Sequence, residues 1–326
     1  MNPSDIFGIQ DERHFREAAL KVFYFQKKQN PVYKRFLEAL SASRLSVSEP
    51  YAIPCMPVEI FKKHKVLSTN QEPLLVFESS GTTGMETSRH WVWDANLYKA
   101  SFIEGFRLFW GDPSEWTFLA LLPSYLERQN SSLVYMMKGL MEQSNSPYNG
   151  FYLNEYRLVM EKARQALRWG QGKVMVVGVS FALLDLAECC PADIRDVVVV
   201  ETGGMKGRRR ELTRQELHAI LKEAFGVDQI ASEYGMTELL SQAWSRGEGR
   251  FRTPPWMRIF LTEPEDPFAL VPPGRSGLIN IIDLANYWSC SFLATRDIGK
   301  FLPDGSFEVL GRHDLADIRG CNLMVN

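Results

Sequence analysis

The sequence predicts an α/β protein with a buried, mainly parallel sheet, flanking helices and a smaller β-rich part towards the C-terminus. Strongly apolar segments at 116–122, 174–177 and 197–200 alternate with segments of helical periodicity. Strands that helices cover on both faces are apolar along their whole length, so this alternation favours a parallel sheet. After residue 250, Pro-Gly and Pro-Asp-Gly turns separate short apolar segments, which is typical of antiparallel hairpins.

Local signals place the other elements in chain order. Residues 11–43 carry two amphipathic helical runs that separate at Asn30 and Pro31, since proline is favoured in the first turn of a helix. A short apolar strand at 74–77 precedes a loop rich in glycine, serine and threonine. Further helices are predicted at 94–110, 153–169, 181–188 and 211–225, and further short strands at 258–261, 277–282 and 307–310.

Length and composition suit one large globular domain. The chain has 326 residues, 45% of them hydrophobic and 23% charged, and its net charge is −2. We expect a single domain in which a helical part (1–72) and an α/β core (73–250) precede a β-rich part (251–326). The charges are mixed along the chain and form no basic stripe, which argues against a nucleic-acid partner. No apolar stretch approaches the roughly 20 residues of a membrane span.

The N-terminus and the cysteines indicate the cellular compartment. The first residues lack the basic and apolar regions of a signal peptide. The cysteines form an odd, sparse set without metal-ligand spacing: Cys55, Cys189, Cys190, Cys290 and Cys321. A reducing, cytoplasmic location is therefore predicted. All of them except Cys321 are interpreted as structural.

The loop after the strand at 74–77 combines glycines with hydroxyl side chains. Its residues are Ser79, Ser80, Gly81, Thr82, Thr83 and Gly84. Glycine lets the backbone approach a ligand and present N–H groups to phosphate oxygens, and the hydroxyl groups add donors or a magnesium ligand. The loop is not a Walker A loop, because no Gly-Lys-Ser/Thr follows it. By composition alone, a plain surface loop explains it equally well.

Together with three later segments, this loop carries a family resemblance. The string Ser-Ser-Gly-Thr-Thr-Gly resembles the phosphate loop of the adenylate-forming superfamily, which includes acyl-CoA synthetases, luciferases and peptide-synthetase adenylation domains. Glu-Tyr-Gly-Met-Thr-Glu at 233–238 resembles its Tyr-Gly-x-Thr-Glu segment. The segments at 295–299 and 311–320 resemble its Thr-Gly-Asp-x-Gly and Gly-Arg-x-Asp…Arg-Gly segments. The order of the four is the superfamily's order.

The resemblance implies the large-domain fold of these enzymes and an ATP–magnesium site. It implies that Tyr234 packs on adenine, Thr237 contacts phosphate, Glu238 binds Mg²⁺, Asp297 accepts hydrogen bonds from the ribose hydroxyls, and Arg312 contacts ribose or phosphate. Gly203 and Gly204 follow the strand at 197–200 and resemble a loop beside the adenine, although an ordinary strand-ending turn explains them nearly as well. The residues expected to bind ATP are therefore Ser79, Ser80, Gly81, Thr82, Thr83, Gly84, Gly203, Gly204, Tyr234, Gly235, Thr237, Asp297 and Arg312.

The sequence departs from the superfamily pattern in two places. The usual Pro-Lys after the loop is replaced by a segment ending in Arg89, whose charge is a candidate substitute. Typical members continue for roughly 100 residues into a small C-terminal domain that carries a catalytic lysine, whereas this sequence stops at Asn326. We therefore expect the large domain without that small domain. His90 is compatible with a place in the site and equally with packing.

The last residues resemble a narrower family. Asp-Ile-Arg-Gly-Cys-Asn-Leu at 317–323 resembles the acyl-protein synthetases of the LuxE family. That family activates a fatty acid as acyl-AMP, holds the acyl group as a thioester on a cysteine near its C-terminus, and delivers it to an acyl reductase. The resemblance implies that Cys321 is the acyl acceptor. A nearby Arg319 would lower the pKa of its thiol, and Thr237 completes the expected catalytic residues.

Two alternatives stay open at the level of the sequence. The first is an acid–thiol ligase of the phenylacetate–CoA ligase type, which would use coenzyme A or the phosphopantetheine of an acyl carrier protein. The second is a degenerate nucleotide-binding module without catalysis. For the acyl-protein synthetase and for the acid–thiol ligase, the expected substrate is a small carboxylic acid. No motif in the sequence indicates which acid it is.

Overall fold

The computed structural model describes residues 2–41, 46–79, 86–122, 130–203 and 212–313. The helices are α1 (Glu12–Gln29), α2 (Pro31–Ala39), α3 (Ile60–Lys63), α4 (Ala95–Trp110), α5 (Ser132–Gln143), α6 (Tyr156–Trp169), α7 (Ser180–Cys189) and α8 (Arg214–Phe225). The strands are β1 (Met56–Pro57), β2 (Leu75–Glu78), β3 (Arg89–Val92), β4 (Trp116–Leu121), β5 (Gly150–Tyr152), β6 (Lys173–Val179), β7 (Val197–Thr202), β8 (Ala231–Tyr234), β9 (Ala243–Ser245), β10 (Phe251–Arg252), β11 (Met257–Thr262), β12 (Ser276–Asp283), β13 (Phe292–Phe301) and β14 (Phe307–Arg312).

The break between the first two helices is where the sequence predicts it. Asn30 ends α1 and caps α2, because its side-chain oxygen accepts hydrogen bonds from the backbone N–H groups of Val32 and Tyr33. Pro31 occupies the first position of α2, where its missing N–H costs no helical hydrogen bond. The side-chain amide of Asn30 also donates to the carbonyl oxygen of Ser289, which ties this junction to the C-terminal half of the chain.

Within the described residues, one large sheet runs through the molecule. Its strand order is β11-β12-β13-β14-β10-β9-β8-β7-β6-β4-β5, and β1 pairs with β13. The strands from β5 to β8 are parallel, and those from β8 to β11 are antiparallel. Helices α5, α6 and α7 pack on the parallel half, where β4 is buried along its whole length. The predicted α/β class is confirmed, with the parallel pairing concentrated in β4–β8.

Strand β2 pairs differently from the sequence prediction, and seven of the described strands were not predicted: β1, β3, β5, β8, β9, β10 and β13. The strand predicted at 74–77 is present as β2, but it pairs with β3 in a separate antiparallel hairpin and not with the parallel sheet. The longest strand, β13, was missed because its middle residues Thr295, Arg296 and Asp297 are polar. Pairing with β12 on one side and β14 on the other holds it in the sheet.

The β-rich part predicted at 251–326 contributes strands to the same sheet as the α/β core. The link is β10, which pairs with β9 on one edge and with β14 on the other. The three-part division of the chain stays a prediction. No helix among the described residues is both long and apolar enough to cross a lipid bilayer.

Candidate active site

A cleft of about 1530 Å³ opens where the parallel and antiparallel halves of the sheet meet. Residues at the carboxyl ends of β7 and β8 line it, together with residues of β13 and β14. Ligands of open α/β sheets bind at the carboxyl ends of the strands. Small-molecule pockets usually measure about 300 to 1,000 Å³, so this cleft has room for more than one small ligand.

The predicted site residues that the structure describes all line this cleft. They are Ser79, Gly203, Tyr234, Gly235, Thr237, Glu238, Asp297 and Arg312. Four sequence segments are thus represented around one space, the last two of them on the paired strands β13 and β14. The other predicted residues lie outside the described part of the chain: Ser80, Gly81, Thr82, Thr83, Gly84, Gly204, Arg319 and Cys321. The ligand contacts assigned to all of these residues stay predictions.

Tyr234 and Asp297 are joined directly. The Tyr234 hydroxyl donates to Oδ2 of Asp297 at 2.8 Å, and Asp297 lies opposite Arg312 in the β13–β14 pair. Burial raises the pKa of Asp297, while the Tyr234 hydrogen bond and the positive charge of Arg312 oppose that shift. The Tyr234 ring packs edge-on against Phe251 and Phe307. The carboxyl group of Asp297 is therefore fixed in orientation before any ligand arrives.

His90 fixes the backbone of the next part of the site. Its Nδ1 lies 2.8 Å from the carbonyl oxygen of Thr237, which can only accept, so Nδ1 carries the proton. Nε2 then accepts from the hydroxyl of Ser289 at 2.9 Å. The imidazole is fully buried and its edge packs against Phe61. Of the two interpretations open from the sequence, the structure favours packing, with His90 positioning Thr237.

Two further side chains hold the segment that follows Thr237. The Asn286 amide donates to the carbonyl oxygen of Glu238 at 2.8 Å. The buried carboxylate of Asp283 accepts from the backbone N–H groups of Leu240 and Ser241, both at 2.9 Å, and from the Ser241 hydroxyl at 2.6 Å. These hydrogen bonds hold the backbone from 237 to 241 in place, so the Glu238 side chain extends from a rigid segment.

The environment of His90 leads to a prediction about acid stability. Burial lowers the pKa of His90 from 6.5 to about 4, although the hydrogen bond with Thr237 opposes the shift. Below pH 6.5 the unfolded chain takes up a proton at His90 that the folded protein resists, so acid favours unfolding. We expect this residue to remove about 3 kcal/mol of stability between pH 6.5 and pH 4. Urea unfolding of the wild type and of His90→Gln across this pH range measures it.

The exposed His64 provides the matched control for that measurement. His64→Gln should keep the wild-type dependence on pH, whereas His90→Gln should start from a lower stability at neutral pH and lose less of it on acidification. Parallel losses in all three proteins between pH 6.5 and pH 4 would contradict the assignment.

Two hydrogen bonds join Ser79 and Ser88, which lie on either side of the Ser/Thr/Gly loop. The N–H of Ser88 donates to the Ser79 hydroxyl at 2.9 Å, and the N–H of Ser79 donates to the carbonyl oxygen of Ser88 at 3.0 Å. Next to this pair, Arg89 forms an ion pair with Glu78 across the β2–β3 hairpin, with Nε and Oε1 3.5 Å apart. Arg89 is not among the residues that line the cleft. The Arg89 side chain therefore stabilises the β2–β3 hairpin in this structure.

Two glutamates at the carboxyl ends of the parallel strands have contrasting surroundings. Burial alone would raise the pKa of Glu201, but His218 and Arg214 together hold it below its usual value. The Nε of Arg214 lies 3.1 Å from Oε1 of Glu201. Among the described residues, Glu233 has no cationic partner and one hydrogen bond, which it accepts from the Thr202 hydroxyl at 2.5 Å. Burial, aided by the charge of Glu201, raises the pKa of Glu233 to about 7.

Sequence reasoning missed two residues of the cleft. Glu233 entered the sequence analysis only as the residue before the Tyr-Gly-x-Thr-Glu segment, and no signal other than its place at a strand end could have found it. Lys62, on the short helix α3, also lines the cleft. Its side chain is half-buried and forms no ion pair with any residue that the structure describes. No motif includes Lys62, although it lies directly after Phe61, which packs on His90.

The chain has the fold of the adenylate-forming enzymes. It matches a structure of 2-hydroxyisobutyryl-CoA ligase with 2-HIB-AMP in the postadenylation state at a TM-score of 0.66 and 14% identity, covering 92% of this chain and 67% of that one. A structure of the same ligase with 2-HIB-AMP and CoA in an open conformation gives a TM-score of 0.62 at 14% identity, covering 92% of this chain and 74% of that one.

A second protein with this fold is MatB from Rhodopseudomonas palustris in its ATP-bound form. It matches with a TM-score of 0.54 at 15% identity, and the match covers 84% of this chain but about half, 52%, of MatB. The sequence itself matches no protein-family model and no curated protein sequence. At these identities the likeness establishes the fold.

Proposed function

We propose that the protein activates a carboxylic acid with ATP, forming an acyl-AMP that then passes its acyl group to a thiol. The observation that carries the proposal is the convergence of Ser79, Tyr234, Asp297 and Arg312 on one cleft. These residues come from the four separate segments that resemble the superfamily. The shared fold with a ligase that holds 2-HIB-AMP supports the same conclusion.

In this proposal the nucleotide lies against the carboxyl ends of β7 and β8. The Tyr234 ring provides an apolar face for adenine, and Asp297 accepts hydrogen bonds from the ribose. Because the Tyr234 hydroxyl already occupies Oδ2 of Asp297, the carboxylate can receive the ribose without a change of orientation. Arg312, directly across the strand pair, adds positive charge beside the ribose and phosphates. Groups held in place in advance lose little entropy on binding.

Glu238 is the residue that would hold Mg²⁺. No three His, Cys, Asp or Glu side chains come together in the described residues as a metal site made by protein alone. Mg²⁺ commonly needs only one or two carboxylates, since phosphate oxygens and water complete its shell, so the Glu238 carboxylate fits. Burial raises the pKa of Glu238, and a nearby cation would favour its charged form. The ion supplies charge neutralisation at the phosphates when bound.

The chemical step is an in-line displacement at the α-phosphorus. A carboxylate oxygen of the acid forms the new bond to phosphorus, and the bond to the bridging oxygen of the β-phosphate breaks, so pyrophosphate leaves with the electron pair. The protein contributes positioning and charge. Lys62 and Arg312 line the cleft, form no ion pair with a residue that the structure describes, and are suited to the phosphate charge.

The second half-reaction transfers the acyl group. A thiolate attacks the carbonyl carbon of the mixed anhydride, a thioester forms, and AMP leaves. We propose Cys321 as this thiol and a fatty acid as substrate, on the resemblance to the acyl-protein synthetases, with an acyl reductase as the receiving partner. Cys321 lies outside the described residues. Coenzyme A or a carrier-protein phosphopantetheine is the second candidate acceptor, because a ligase with this fold has been captured with CoA.

A Cys321→Ala variant distinguishes these acceptors. With radiolabelled acid and ATP, we expect the wild-type chain to become labelled, and the variant to lose this label completely while keeping acid-dependent exchange between ATP and pyrophosphate. Cys189→Ala, which removes an exposed cysteine, should leave both signals unchanged. Exchange without protein labelling in the wild type, with thioester formed only on added CoA or carrier protein, would favour the second acceptor. Bound ATP without exchange for any acid would indicate a nucleotide-binding module without catalysis.

A further inference from the structure

The cleft continues on the other side of β8 from the predicted nucleotide contacts. Successive residues of a strand point to opposite faces, so Glu233 and Tyr234 look into different parts of the cleft. Tyr234 contacts Asp297, Phe251 and Phe307. Glu233 instead bonds to Thr202 of the neighbouring strand β7. We call the part of the cleft on the Glu233 side the acid arm; its lining residues are Tyr98, Ser132, Leu133, Met136, Glu233 and Gln242.

The residues of the acid arm are in mutual contact. The Tyr98 hydroxyl donates to the carbonyl oxygen of Ser132 at 3.0 Å. Burial raises the pKa of Tyr98 well above its ordinary value; the charge of the nearby Glu233 adds to the shift, and a hydrogen bond with Gln242 opposes it. The acid arm thus has apolar walls from α4 and α5 and a polar end at Glu233 and Gln242.

Glu233 brings an unused acceptor to this arm. Oε2 receives the Thr202 hydroxyl, whereas Oε1 has no hydrogen-bond donor among the described residues. A Cβ at position 235 would lie 2.4 Å from that Oε1, so Gly235 leaves the room that the carboxyl group occupies. Glu201, one strand away, is compensated by Arg214 and His218. A partly buried carboxyl oxygen that no described protein group bonds to is stabilised when a ligand supplies a donor.

We propose that Glu233 selects the acid: it accepts a hydrogen bond from a hydroxyl or ammonium group carried on the acyl part of the substrate. This inference rests on the proposed function and refines it, because the substrate becomes a substituted acid in place of a plain fatty acid. The acyl chain lies along Leu133 and Met136, and its carboxylate faces the nucleotide on the other side of β8. A plain acid of the same length fits the apolar walls but leaves Oε1 of Glu233 unpaired.

The test compares acids that differ in one group only. Hexanoic acid, its hydroxy-substituted forms and its amino-substituted forms are supplied in turn, and kcat/KM for the acid is measured by ATP–pyrophosphate exchange. The wild type should prefer at least one substituted acid over hexanoic acid by about tenfold or more in kcat/KM. A hydrogen bond to a charged group typically contributes enough free energy for a difference of that size. Glu233→Leu should abolish the preference and improve the use of hexanoic acid.

A second variant separates the two donor groups. Glu233→Gln keeps an acceptor oxygen but removes the charge, so it should retain a preference for a hydroxyl group and lose one for an ammonium group. Glu248→Gln is the matched control, because Glu248 also lines the cleft but is exposed and paired with Arg250. Glu248→Gln should keep the wild-type ratio of kcat/KM between the substituted acids and hexanoic acid. Melting temperatures report whether each variant is folded. The preference of the wild type for a substituted acid over hexanoic acid is measured without any variant, so it tests the proposal even where a variant does not fold.

The outcomes separate this inference from the proposed function. Equal use of all the acids by the wild type, or an unchanged ratio in a folded Glu233→Leu variant, would overturn the role of Glu233 while leaving acid activation in place. Absence of exchange with all of these acids and also with long-chain fatty acids would overturn acid activation itself, and the role of Glu233 with it.

Discussion

Replacing Glu238 by glutamine is expected to lower acid-dependent ATP–pyrophosphate exchange by about a hundredfold or more. Glutamine keeps the size of the side chain and one oxygen but loses the negative charge that would hold Mg²⁺ at the phosphates. The Mg²⁺ concentration at half-maximal rate should rise as well, because the remaining affinity depends on the nucleotide alone. Exchange rates at saturating ATP, measured over a range of Mg²⁺ concentrations, report both effects.

The position of Glu238 makes this substitution informative. Its backbone carbonyl is fixed by Asn286, and its side chain is buried beside the cleft, with Ser88 and Arg312 near enough to influence its pKa. A glutamine should therefore occupy the same place without refolding of the segment. Glu248→Gln, at the exposed rim of the same cleft, should behave like the wild type. Unchanged exchange and unchanged Mg²⁺ dependence in a folded Glu238→Gln protein would remove Glu238 from the metal site.

The features that were predictable from the sequence depend on neighbours in the chain. The break at Asn30 and Pro31 is one example, because the cap and the proline act within a single turn of α2. The apolar strands β4, β6 and β7 are another, since their burial on both faces appears as uninterrupted runs of apolar residues. For the same reason β13 was not predicted: Thr295, Arg296 and Asp297 are polar, and only pairing with distant strands makes them part of the sheet.

The residues of the candidate site also fall into those that could be predicted from the sequence and those that could not. Tyr234, Asp297 and Arg312 could be placed together because each lies in a segment that resembles a known one. The role of His90 could not be foreseen, because its partner Thr237 is 147 positions away in the chain. Glu233 and Lys62 are notable for the partners they lack among the described residues, and no sequence pattern records the absence of a contact.

Replacing Asp297 by alanine should reduce kcat/KM for ATP by about a hundredfold, with most of the loss in KM. The carboxylate is proposed to accept from the ribose, and a hydrogen bond to a charged acceptor contributes about 1.5 to 3 kcal/mol. Alanine also leaves the buried Tyr234 hydroxyl without its acceptor at 2.8 Å, which disturbs the ring proposed to stack on adenine. Exchange kinetics at varied ATP concentration give the effect, and Asp304→Asn, on the exposed turn before β14, is the matched control.

Tyr234→Phe separates the two contributions to that loss. This change removes only the bond to Asp297, keeps the aromatic face, and should cost about tenfold or less in kcat/KM for ATP. In the double variant with Asp297→Ala, Tyr234→Phe should add little further loss, because the two residues share one hydrogen bond and their effects are not additive. Losses that multiply in the double variant would mean that the two residues act independently. A folded Asp297→Ala enzyme with unchanged KM for ATP would place the ribose elsewhere in the cleft.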